Sequence, residues 1–189
     1  MHNIEPHYLW QHLYKSEEDE VTPFYQKTYS ELYFSDSIYN YVIHPQWDNF
    51  GSPTLYLKVL YADYAQGYCI IEFIGEWNDC IHNDIMTLKR ELIDVFIDEG
   101  ITHFILIGEM VLNFHASDDS YYEEWFSDIE GGWIALVNFR DHVLEEIKHE
   151  HLDYYLVFGG DLDQMSWRKY SPMQLFTVVN QIISRRIGL

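Results

Sequence analysis

The chain has 189 residues, 48% of them hydrophobic, and sets 31 Asp and Glu against 11 Lys and Arg for a formal net charge of −20. A disordered acidic chain does not carry so much apolar side chain, so a packed core is expected, and the length suits one compact unit. The mean field repels duplex nucleic acid and anionic membrane alike, and no 18-residue apolar run exists to span a bilayer, so neither is an expected partner.

Residues 1–53 read as an aromatic-rich N-terminal elaboration. Leu9 and Leu13, four apart, predict a short helix over Pro6 to Tyr14. Tyr25, Tyr29 and Tyr33 repeat at the same interval and would share a helical face, whereas Tyr39, Tyr41 and Ile43 alternate as in a short strand. Pro45 to Pro53 is a loop holding Trp47. The ordered body is expected over 54–189. Leu55, Leu57, Val59 and Tyr61 alternate, Asp63 to Gly67 supplies turn residues, and Tyr68 to Ile74 follows as a second strand, which together predict a hairpin. Cys69 falls inside that strand and Cys80 just beyond it. Two thiols do not make a disulfide scaffold, and with no secretory signal at the start a cytoplasmic setting is expected.

From Ile81 the period changes. Ile81, Ile85, Leu88, Leu92 and Phe96 form one helical stripe, Lys89 and Asp94 project elsewhere, and Gly100 stops the helix. His103 to Gly108 is an apolar run suited to a central strand. Ser120 and Glu123 have capping-box spacing for a short acidic helix ended by Gly131 and Gly132. Trp133 to Phe139 is strand-like, Asp141 to His151 helix-like, and Tyr154 to Phe158 another strand. Ser171, Pro172 and Gln174 then mark a helix start by cap hydroxyl, proline and capping-box partner, and the helix runs to Arg186 with Gly188 behind it.

This order predicts an α/β fold: a mixed, mainly parallel sheet with a leading β-hairpin and helices packed on its faces. In outline it resembles anti-sigma-factor antagonist domains, which implies a non-enzymatic regulator. The phosphorylatable Ser or Thr that such a domain carries before its helix has no counterpart between Glu76 and Asp84.

Ligands in open α/β sheets bind beyond the carboxyl ends of the strands. Those positions carry Glu76, Glu109, Asp161 and Asp163, which would form a hard-oxygen site for Mg²⁺ or Ca²⁺ if they converged. A metal-dependent hydrolase or phosphotransfer enzyme would follow from it. Gly159–Gly160 lacks the spacing, Lys and Ser or Thr of a phosphate loop, and Arg168 with Lys169 before Ser171 is the one basic pair near that edge. The histidines do not fall at zinc-protease spacing, and Cys80 with His82 is too local for a nucleophile and its base.

The segment Glu109 to Glu130 has seven acidic residues and no Lys or Arg. On a helix Tyr122, Trp125, Phe126 and Ile129 share one face and Tyr121, Glu124 and Asp128 another. With Asp118 and Asp119, the second face would receive a basic protein partner. The expectation set by these features is a non-catalytic interaction or regulatory module that needs no cofactor. Leu175, Phe176, Val178, Val179, Ile182, Ile183 and Ile187 cover more than a narrow stripe of the last helix, which suits either deep packing or a homo-oligomer contact.

Overall fold

A computed structural model describes residues 4–187, so Gly188 lies outside the described residues. Five strands form the main sheet: β3 (Leu55–Asp63), β4 (Tyr68–Asn78), β5 (His103–His115), β6 (Trp133–Val137) and β7 (Leu156–Val157). Their spatial order is their chain order. β3 pairs antiparallel with β4 across the expected short turn, and every later pairing is parallel. A separate two-stranded hairpin, β1 (Ser37–Ile38) and β2 (Tyr41–Val42), precedes them. The fold is therefore the mixed α/β architecture that the element order predicts.

Parallel strands added always on the same side, through crossovers of one hand, put every connecting helix on one face. Here that layer comprises α1 (Asp79–His82), α2 (Asp84–Leu88), a π-helical turn (Lys89–Ile93), α3 (Asp94–Asp98), α4 (Ser120–Asp128) and α5 (Asp141–His149). Ile85, Leu88, Phe96, Tyr122, Trp125, Val143 and Ile147 interlock with Ile71, Phe73, Phe104 and Leu106 of the sheet in one apolar core. The opposite face is closed in two parts. α6 (Pro172–Ile187) lays Leu175, Val179 and Ile183 on Tyr68, Ile70, Ile105 and Ala135. Further along, Ile38, Ile43 and Trp47 cover Tyr56 and Ile74.

Several local expectations are corrected. The helix predicted from Ile81 breaks at Asn83, which takes φ +52°, and this leaves Ile81 exposed while the rest of its stripe is buried. In the π turn the Asp94 N–H bonds to the Lys89 carbonyl five residues back. Lys89 consequently faces inward and is fully buried rather than projecting outward. α4 starts at Ser120 itself, so the capping box does not form; Asp118 accepts the Ser120 N–H instead. Neither Pro6–Tyr14 nor Tyr25–Tyr33 is helical. Long-range bonds hold both: the His7 N–H donates to Glu72, the Trp10 indole to the Tyr170 carbonyl, and the Tyr29 hydroxyl to Asp48. Tyr39, with φ +54°, turns between two short strands instead of extending one. Ser171 and Gln174 do exchange the two bonds of a capping box at the start of α6. Both cysteines are free thiols.

Candidate functional site

The strand ends are not where the residue pattern puts them. β4 continues past Gly75 to Asn78 and β5 past Gly108 to His115, with register shifts between Glu72 and Ile74 and between Gly75 and Glu76. At Gly75 the backbone turns through φ +120°, and a Cβ would stand 2.1 Å from the Thr54 carbonyl oxygen, so only glycine fits this irregularity. Glu76 lies opposite Asn113, while Glu72 lies opposite Ile107, two residues before Glu109. Four residues of strand separate Glu76 from Glu72, roughly 13 Å at the usual rise.

The four expected metal ligands accordingly meet different partners. Glu109 accepts from the Asn138 amide at 2.7 Å and the Trp167 indole at 2.9 Å, and its other oxygen faces the Arg168 guanidinium at 2.5 Å. Asp163 accepts the Gly159 N–H at 2.8 Å, ordinary turn chemistry. Asp161 is exposed on the rim of a groove shared with Arg185. Glu76 sits by the hairpin. Among the described residues these four do not assemble a ligand set. The topology gives the reason. Ligand crevices open where strand order reverses and neighbouring helices pass to opposite faces, and this sheet never reverses. Arg168 is not a free anion-binding cation either, because it pairs with both Glu109 and Glu72 and stacks on Trp167.

What the back of the sheet holds instead is a seam of charge between its two apolar clusters. Lys58 and Glu72 are register partners on β3 and β4, and both are buried. The Lys58 ammonium reaches Asp48 at 3.1 Å and stands 3.9 Å from the Tyr29 ring centre; Lys27 reaches the other Asp48 oxygen at 2.7 Å. Glu72 takes the His7 N–H at 2.8 Å and Arg168 at 3.4 Å. Burial, with Glu109 nearby, lifts its carboxyl to about 7. Burial also opposes the charge on Glu109, but its bonds from Asn138, Arg168 and Trp167 hold it below the usual range. Arg168 thus serves chiefly the nearer carboxylate. Neither Glu72 nor Lys58 stood out in the sequence, although each is a charged residue in an otherwise apolar strand, and that was the available signal.

The helical layer treats charge differently. Asp94, Glu124 and Asp128 gather oxygens closely enough to hold a cation, and the Lys89 ammonium occupies the position. It contacts Asp94 directly, Asp128 at 2.7 Å and Glu124 at 3.5 Å. Burial disfavours this ammonium, but the bonds to Asp128 and Asp94 outweigh it and raise its pKa. Arg90 closes a bidentate pair on Glu124 at 2.6 and 2.8 Å and lies 5.5 Å from the Tyr121 ring centre. Glu124, Asp128 and Tyr121 of the expected docking face are therefore engaged by the chain's own cations. Asp118 bonds Ser120 and Asp119 accepts the Tyr155 hydroxyl, both staying exposed. Around them Glu91, Asp98, Glu123, Glu130, Asp141, Glu145 and Asp153 also face water.

No protein-family model matches this chain, and no curated protein matches it. Among solved structures, the anti-sigma factor antagonist SpoIIAA in its unphosphorylated form is similar over 70% of this chain and 97% of its own, at 11% identity and a TM-score of 0.42. The phosphorylated form of this Bacillus cell fate determinant is similar over 56% and 92%, at 11% identity and a TM-score of 0.37. Likeness at that level assigns neither an activity nor a partner. No helix among the described residues is long and apolar enough to cross a membrane.

Proposed function

We propose that this chain is a non-catalytic, regulatory protein-interaction module that binds a basic protein partner on the outer face of its α2–α5 layer. The observation that carries this reading is the distribution of neutralised and free acids. Lys89 and Arg90 pair with Asp94, Glu124 and Asp128, whereas Asp118, Asp119, Glu123, Glu130, Asp141 and Glu145 stay exposed with only Arg140 and Lys148 as further exposed cations in α4, α5 and their flanks. Carboxylates so arrayed on rigid helices steer a positively charged protein and accelerate its association. Chemistry on a substrate has weaker support, since Glu109 and Asp163 are committed to internal hydrogen bonds.

Titration with a lysine-rich peptide tests the reading. It predicts binding at low ionic strength that weakens steeply as salt rises. Absence of binding at low salt, or binding indifferent to salt, would overturn it.

A further inference from the structure

The hairpin β1/β2 leaves a groove of about 310 Å³ against the far end of β4 and β5. Its lining joins two unlike chemistries. Tyr39 and Tyr41, each 65% exposed, bring their rings to it together with Ile38 and Leu112, and Glu76 brings a carboxylate. Tyr39 reaches this position from a left-handed backbone that its neighbour Asn40 would adopt more cheaply.

Glu76 differs from the other enclosed acids of this face. Glu72 and Glu109 have Arg168, and Asp48 has Lys27 and Lys58. The Glu76 side chain is only 12% exposed, yet its partners are the Asn78 amide at 3.1 Å, the Asn113 amide at 3.5 Å, the Tyr39 hydroxyl, and His115 at 3.7 Å. Among the described residues no Lys or Arg pairs with it. Burial works against its charge, but the bonds from Tyr39, Asn78 and Asn113 hold the carboxyl below its ordinary range. An ionised carboxylate beside two exposed phenol rings is thus left without a cation.

We propose that this groove receives an arginine side chain of the partner, its guanidinium against the rings of Tyr39 and Tyr41 and its N–H groups on Glu76. The assignment rests on the basic-partner reading above and adds a second contact for such a partner, across the sheet from the helical docking face. Charge complementarity selects a cation and repels phosphate or carboxylate. The aromatic walls favour a weakly hydrated planar cation over a compact ammonium, because a guanidinium stacks on rings and forks onto a carboxylate at once.

The probes are Nα-acetylarginine methylamide, its uncharged citrulline counterpart and its cationic lysine counterpart. Each is titrated into the isotope-labelled full chain at physiological ionic strength, with the Asn78 and Asn113 side-chain amides and the Tyr39 and Tyr41 backbone amides as reporters. The arginine probe should bind, citrulline should not, and lysine should bind more weakly. Glu76→Gln should weaken the arginine probe at least about tenfold. Tyr41→Ala, at an exposed position, should weaken it severalfold and guards against a misfolded Glu76 variant. An equal response to citrulline, a preference for lysine, or indifference to both substitutions would overturn the assignment. Failure here alongside salt-sensitive binding of the lysine-rich peptide removes the groove and keeps the docking face. Arginine binding in a chain that ignores that peptide does the reverse.

Discussion

On one side of the sheet, α2–α5 bury a continuous apolar core and turn Glu91, Asp98, Glu123 and Glu145 to water. On the other, α6 contains no Asp or Glu and ends in Arg185 and Arg186, and a line of buried charge divides what lies beneath into two apolar clusters. The formal −20 is thus not spread evenly; residues 164–189 contribute none of the acids and four of the cations, Arg168, Lys169, Arg185 and Arg186. The difference teaches that the two faces solve separate problems. The helical side carries the field outward and satisfies its few buried charges within its own layer, Asp79 accepting from the Trp77 indole and the Tyr122 hydroxyl and Lys89 pairing with Asp94 and Asp128. The α6 side admits charge because residues distant in sequence supply counter-charges: Asp48 for Lys58, and Arg168 for Glu72 and Glu109. Arg186 adds to this by donating to the Phe158 carbonyl at 2.8 Å, so the basic end of α6 also fastens the segment after β7 (Leu156–Val157). Of the apolar residues that widen α6, Leu175, Val179 and Ile183 are buried and Phe176, Val178 and Ile182 pack against the same cluster, while the Ile187 side chain lies outside the described residues.

The contrast breaks first in the cores. Trp125 is fully buried and meets Phe104 edge-on at 5.0 Å. Trp125→Ala should cost about 3–5 kcal/mol, more than the roughly 2–4 kcal/mol of Leu175→Ala behind the sheet, as measured by denaturant unfolding. A loss below about 1 kcal/mol at either position would mean that its cluster is not a tightly packed core.

Next is the resident cation of the helical layer. Lys89→Ala leaves Asp94, Glu124 and Asp128 facing one another and should cost on the order of 2 kcal/mol, below the fully buried case because these acids are partly wet. Added Ca²⁺ should raise the unfolding midpoint of that variant and leave the unsubstituted chain unchanged. A similar Ca²⁺ shift in both would show that Lys89 does not fill the position.

The smaller effect is on pH. Burial holds Glu72 at about 7 and, with Asp84 adding, Asp79 at about 6, both above ordinary carboxyl values. Between the unfolded and folded values the folded chain holds protons that the unfolded chain has lost. Stability therefore falls as pH rises from 3.8 to about 6 through Asp79 and from 4.5 to about 7 through Glu72, and the loss is complete above about 7. Glu72→Gln should flatten the slope by about 1–2 kcal/mol, since Arg168, half open to water, offsets part of the penalty. A slope that is unchanged would mean Glu72 is ionised throughout.

Much of the architecture was legible from local pattern. Alternation over 55–74, the stripe Ile85–Leu88–Leu92–Phe96 and the Ser171–Pro172–Gln174 start are short-range signals, and each yields its element. Strand lengths were not legible, because the register shifts carry β4 and β5 through glycines that look like ends. Neither was the seam, whose members come from residues 7, 48, 58, 72 and 168. The aromatic N-terminal segment misled for the same reason: Tyr29 is fixed by Asp48 and Lys58, not by a helical neighbour. Glu76 was singled out as a strand-end ligand, but its setting follows from the Gly75 irregularity and from Tyr39, which the residue pattern does not bring together.

The central claim is that the electrostatic docking surface for a basic partner lies on the helical layer and not on α6. Its most direct test is the affinity of a lysine-rich peptide for two charge reversals measured side by side at low salt. Glu123→Lys with Glu145→Lys on the helical layer should weaken binding several-fold, and Arg185→Glu on α6 should not weaken it. Equal affinity for both, or a loss confined to Arg185→Glu, would contradict the account.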